Sequence, residues 1–188
     1  AEGGLAFTPG QVGWILGLAG SIGAVTAPFL AGQFTDRNFS TERFLAVLLI
    51  AGGIVKYVTA LQTSFQAWLW LSILYSVLYS PTLALTNSLA FAHLKDPDSE
   101  FPLVRVWGTI GWIAASWLFP LFWLISDFEF TWLPPFYGPN EMANVTERLV
   151  DSLKFSGVIS IGYAIFCLFL PHTPPKKDAV EGLAFAKA

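Results

Sequence analysis

Charge is what this sequence has least of. Asp, Glu, Lys and Arg make up 12% of its 188 residues, against roughly 25% in soluble globular chains. Thirteen acids and ten bases leave a formal charge of −3, so there is no basic excess to hold nucleic acid phosphates. A single cysteine, Cys167, excludes an intramolecular disulfide and a thiolate metal cluster. With only two histidines beside it, no metal site is expected, and no residue pattern calls for a cofactor.

What is there instead is apolar side chain, 54% of the chain. The few charges are confined to short segments, and none occurs in residues 3–35, 57–94, 106–126 or 155–175. A fifth apolar stretch, residues 44–61, is broken only by Lys56. Crossing the hydrocarbon layer takes about 20 helical residues, and these stretches reach or approach that length. The expected spans are residues 11–34, 44–61, 67–92, 103–125 and 155–170. Continuous rather than alternating apolar residues exclude a β-barrel and leave helices to satisfy the backbone in lipid. The chain reads as an all-α, multi-pass membrane protein with the bilayer as its first partner.

Lys and Arg set the expected orientation. Arg37, Arg43, Lys95, Lys176, Lys177 and Lys187 fall on one side, while Arg148 and Lys154 fall on the other. The richer side is placed in the cytoplasm. Residues 126–154 then form an outer loop, within which 139–154 carries charges at helical spacings that suggest an interfacial helix. An odd number of spans starting outside suggests a piece of a longer protein.

Small residues recur four apart at Gly13, Gly17 and Ser21, and again at Ser72, Ser76, Ser80, Ala84, Ser88 and Ala92. Lipid supplies no hydrophobic drive for helix association, so such stripes let backbones approach and gain dispersion contacts. Polar residues at membrane depth need a separate account. Arg105, Thr109 and Trp112 fall on one helical face. They offer a charged donor, a hydroxyl and a stacking surface to a polar planar solute. The alternative is an arginine snorkelling to the headgroups beside lipid-facing tryptophans. Asn87 either ties helices together or lines a wet cavity. Lys56, with no acid at helical spacing, either pairs with a carboxylate elsewhere or snorkels. His93 and His172 sit at span ends, where boundary polarity or proton handling would explain them. Apart from Asp36 and Glu42, assigned to a loop, no carboxylate falls in a span. Proton-coupled carriers commonly embed acids as relays, so in a proton-driven carrier the main proton site is expected elsewhere in a longer chain.

The loop Gly32-Gln33-Phe34-Thr35-Asp36-Arg37 resembles the Gly-x-x-x-Asp-Arg signature of major facilitator carriers. Phe39 stands where a second glycine is usual. Three further stretches resemble the nucleoside:proton symporter family: Tyr79-Ser80-Pro81-Thr82 through Asn87-Ser88, Phe101-Pro102-Leu103-Val104-Arg105-Val106-Trp107-Gly108-Thr109-Ile110-Gly111-Trp112, and Leu170-Pro171-His172-Thr173-Pro174. The resemblance implies the N-terminal half of a major facilitator bundle, with helices two to six present and the first helix and C-terminal half missing. Residues 1–170 would be the partial half, and 171–188 a cytoplasmic tail or the start of an inter-half linker. It implies a carrier rather than an enzyme, with no catalytic residue, importing a nucleoside with protons across the cell membrane, the inner one in a Gram-negative-type bacterium. Arg105, Thr109, Trp112 and Asn87 would face the substrate, Trp112 standing where phenylalanine is familiar. Gly32, Asp36 and Arg37 would form a conformational loop. A carrier of another polar solute such as a sugar, or a non-transporting remnant, is the alternative.

Overall fold

The computed structural model describes residues 5–30, 40–124, 132 and 145–174. Nearly all of these lie in five helices: α1 (Pro9–Leu30), α2 (Thr41–Ala60), α3 (Phe65–His93), α4 (Pro97–Phe119) and α5 (Val145–Cys167). A π-helical turn, Pro120–Leu124, continues α4, where the proline removes a backbone donor from the ladder. All five helices are long and apolar enough to cross a bilayer.

Contacts at the helix ends set the topology. Phe7, ahead of α1, meets Phe65 and Trp68 at the start of α3 edge-on, at 6.1 and 5.9 Å. Glu42 in the first turn of α2 meets His172 beyond α5. Arg148 in the first turn of α5 donates to the Trp123 carbonyl at 3.0 Å. Successive helices therefore alternate in direction. The starts of α2 and α4 share one face with the ends of α3 and α5, the face expected in the cytoplasm.

All five helices start earlier than charge placement suggested, two of them by more than a turn. Helix α4 begins at Pro97, in the favoured first position. The Glu100 carboxylate accepts from the backbone N–H groups of Lys95 and Asp96 at 3.0 and 3.4 Å. Helix α5 begins at Val145, so residues 145–154 are its first turns rather than a separate interfacial helix. Two of their charges pair locally: Lys154 meets Asp151 at 2.8 Å, and Trp123 Nε1 donates to Asp151 at 3.1 Å. Residues 139–144 lie outside the described residues.

Helix α2 is central, packed against both α3 and α5, while α1 packs on α3. Leu45, Ala46, Leu48 and Leu49 of α2 form the core with Leu85 of α3 and with Ala164 and Cys167 of α5. Further toward the outer face, Gly53 and Gly157 bring two backbones together. A Cβ at either glycine would stand 2.7 Å from the other's carbonyl oxygen. Ser160 donates to the Leu49 carbonyl at 2.9 Å across the same seam.

The small-residue stripes behave differently from one another. Gly23 of α1 abuts Ser76 and Ser80 of α3 so closely that a Cβ would collide with both hydroxyls. The lower end of the α3 stripe, Ala84, Ser88 and Ala92, is exposed. Gly13 and Gly17, expected to draw a neighbour in, have nothing within 4 Å of where a Cβ would stand. Lys56 also departs from both expectations. Instead of a carboxylate or the headgroups, its ammonium reaches Ser156 Oγ at 3.0 Å and the Tyr75 hydroxyl at 3.4 Å, tying α2 to α5 and α3.

Candidate functional site

The turn between α3 and α4 fixes how α4 presents its side chains. Phe91 near the end of α3 stacks on Phe101 at 4.3 Å between centroids. At the other end, Phe119 and Trp123 meet Phe155 of α5 edge-on at 5.9 and 5.2 Å. Between these aromatic fastenings, no residue of α4 is buried.

Arg105, Thr109 and Trp112 all lie on this exposed helix, Trp112 being 72% exposed. The Thr109 hydroxyl sits 3.5 Å from the Arg105 carbonyl one turn earlier, the back-bond to its own helix that a threonine commonly makes. Sequence reasoning missed a fourth member, Ser116. At about 100° per residue, Thr109, Trp112 and Ser116 fall within roughly 40° of Arg105. From Leu103 to Phe119 these are the only charged, hydroxyl or amide side chains. Leu103, Trp107 and Ile110 form a wholly apolar line elsewhere on the helix. Beyond its first turns, from Leu103 to Phe119, helix α4 thus carries a single polar stripe that includes Trp112.

Asn87 is exposed on α3. It lies six residues before His93, about 9 Å of helix from the inner end, and Arg105 lies about 12 Å from the start of α4. The two side chains therefore stand at similar depth, without a direct hydrogen bond between them among the described residues. Gly32, Asp36 and Arg37 lie outside the described residues.

An open groove of about 420 Å³ runs along α1, lined by Gly10, Gly13, Trp14, Gly17, Leu18 and Ser21. It does not include the α4 stripe. Among its lining side chains only Ser21 and the Trp14 indole N–H are polar, so it offers little to orient a polar solute.

Further polar structure lies at the helix ends. On the inner face, His172 Nδ1 lies 2.8 Å from Glu42 Oε1, and His93 Nε2 lies 2.9 Å from Thr173 Oγ1. Glu42, assigned above to a loop, is instead a buried residue of the first turn of α2. Its charge made it read as a loop residue, whereas its partners come from the far end of the chain.

A family model described as "Nucleoside H+ symporter" matches residues 3–187. The Escherichia coli protein YegT is 39% identical over 170 residues, which is 90% of this chain and 36% of that protein. Nucleoside permease NupG of Escherichia coli is 29% identical over 178 residues, 93% of this chain and 37% of that one. A crystal structure of a mutant of the nucleoside transporter NupG superposes with a TM-score of 0.78 at 26% identity, covering 97% of this chain and 40% of that chain. The chain thus spans well under half the length of the relatives it matches. Its five alternating helices, each long and apolar enough to cross a bilayer, form part of a multi-pass bundle of the major facilitator type. The chain belongs to the nucleoside H+ symporter family.

Proposed function

We propose that the complete protein imports nucleosides together with protons by alternating access, two helical halves rocking about a midplane site. In this reading residues 1–170 supply helices two to six of the N-terminal half, and 171–188 are a cytoplasmic tail or lead toward the second half. The first helix and the C-terminal half belong to the remainder of the same protein. Gly32, Asp36 and Arg37 act as a conformational loop on the inner side, and the main proton site lies in the remainder.

The observation that carries the reading is the polar stripe on α4. Hydrocarbon gives Arg105, Thr109 and Ser116 no partners, and each unsatisfied group there costs free energy. Gathering them on one line around an exposed indole suits a helix that lines a wet cavity. A guanidinium can donate directional hydrogen bonds to the hydroxyl or carbonyl groups of a nucleoside. Thr109 adds a smaller donor and acceptor, and the Trp112 ring stacks on the base. Asn87, at similar depth on α3, contributes an amide from the neighbouring helix.

Equilibrium binding to the purified full-length protein tests this. Uridine or adenosine is expected to compete for the site, and simple sugars are not; the reverse order would favour a sugar carrier. Trp112→Ala should weaken nucleoside binding by about 1–3 kcal/mol, the range of base–aromatic stacking elsewhere. Trp112→Phe should be mild because the stacking face is kept. Unchanged affinity in Trp112→Ala would remove the indole from the site.

A further inference from the structure

The inner face holds an arrangement that substrate binding does not use. Glu42 has a side chain only 5% exposed, although it lies in the first turn of α2. Both of its oxygens are engaged by the segment that follows α5. Oε1 lies 2.8 Å from His172 Nδ1, and Oε2 accepts the Thr173 backbone N–H at 3.1 Å. The exchange runs both ways, since the Thr41 N–H donates to the Thr173 carbonyl at 3.3 Å. His93 at the end of α3 adds its Nε2, 2.9 Å from Thr173 Oγ1. Pro171 and Pro174 flank the two donors and have no N–H of their own. The segment is therefore a short, stiff strap with few alternative partners.

We propose that Glu42 and residues 171–173 form an intracellular clasp that makes the first turn of α2 and the segment leaving α5 move as one unit. The physical basis is the cost of a stranded buried carboxylate. A charged acceptor left without donors loses far more than an exposed one, because it has given up water as well. Moving the strap away removes both strap donors from Glu42 together, so the clasp is engaged or released rather than gradually deformed. The two segments it joins are otherwise separated by about 130 residues, since Glu42 and Thr173 are 131 apart. Energetic coupling of this kind is reciprocal: loosening the strap loosens the first turn of α2, and the converse holds. None of this depends on which solute is carried.

Amide hydrogen exchange of the full-length protein in lipid nanodiscs, read by mass spectrometry, tests the clasp. Glu42→Ala should raise exchange at Thr173 about tenfold, the loss expected for a hydrogen bond to a charged acceptor. The distinguishing result comes from the opposite side. His172→Ala, a change made in the strap alone, should speed exchange at residues 41–43, while peptides at the outer start of α5 stay unchanged. Faster exchange confined to the strap in His172→Ala would overturn the coupling. So would an unchanged Thr173 amide in Glu42→Ala. Should Glu42→Ala fail to fold, Glu42→Gln combined with His172→Ala decides the matter. The two changes should be non-additive at residues 41–43, and additive effects would overturn the proposal.

Discussion

Helices α2 and α4 look alike as strings of apolar residues but are used in opposite ways. Along their most apolar stretches, 39% of the residues of α2 are buried within the bundle and none of those of α4. In lipid, hydropathy selects what enters the membrane and says little about what packs there. Packing depends on where backbones can touch and where polar groups find partners on another helix. Helix α2 meets α5 at Gly53 and sends Lys56 to hydroxyls on both neighbours. Helix α4 has Gly108 and Gly111 with open space around them, and Thr109 reaches only its own helix. The first is built to hold the bundle together. The second is fastened at its ends and kept free along its length.

The largest effect should come from breaking the α2–α5 seam. A Cβ at Gly53 would stand 2.7 Å from a backbone oxygen and 3.0 Å from Ile161 Cγ1. Backbone cannot rotate away as a side chain can, so Gly53→Val must push the helices apart. A stability loss of about 3 kcal/mol or more is expected, at the top of the range for overpacking. Thermal unfolding of the purified protein should show it as a large fall in midpoint. Gly108→Val on α4 should leave the midpoint nearly unchanged. Equal losses at both positions would erase the distinction between the helices.

The next effect separates binding from folding on α4. Arg105→Ala removes the charged donor of the polar stripe from a helix on which nothing is buried. Nucleoside affinity should fall by about 1.5–3 kcal/mol, the worth of hydrogen bonds to a charged group, with the unfolding midpoint held. A lowered midpoint with unchanged affinity would instead assign Arg105 to snorkelling and anchoring.

Much of this architecture is legible in the sequence because charge avoidance in lipid is so severe. The charge-free runs around Gly13, Ser76, Trp112 and Gly162 each become a helix. The face shared by Arg105, Thr109 and Trp112 follows from helical periodicity alone. Charge avoidance misleads where charges are paired. Asp151 and Lys154 satisfy one another, so α5 runs through them and starts ten residues before the apolar run does. It also cannot show who meets whom across the bundle. Glu42 with His172, Gly53 with Gly157, and Lys56 with Ser156 are each about 100 or more residues apart, the last pair by 100. No local pattern marks them. Gly13 and Gly17 show the opposite failure, since a small-residue stripe states that a backbone could approach and not that one does.

Lys56 gives a smaller test of how α2 holds its neighbours. Lys56→Met keeps the length and apolar volume of the stem while deleting the hydrogen bonds to Ser156 and Tyr75. The ring contact of the ammonium with Tyr75, 4.7 Å from the centroid, goes with them. A serine inside a helix can turn back to its own backbone, which recovers part of the loss. The expected net cost is about 1 kcal/mol, read as a modest fall in unfolding midpoint. A loss as large as that of Gly53→Val would mean that polar ties, rather than backbone contact, hold α2 to α5.

The smallest effect is expected at Gly17, six positions before Gly23 on the same helix. At Gly23 an added Cβ would meet the Ser80 hydroxyl at 2.6 Å and the Ser76 backbone carbonyl at 2.8 Å. Gly23→Ala should therefore force α1 off α3 and cost stability. At Gly17 the same methyl would meet nothing within 4 Å and would stand in the open groove. Gly17→Ala should change the unfolding midpoint by less than the equivalent of about 0.5 kcal/mol, as for substitutions that touch nothing. Alanine's better helix propensity works in its favour. A clear destabilisation at Gly17 in the full-length protein would show a backbone seated in that groove, and α1 would then share the role of α2 rather than that of α4.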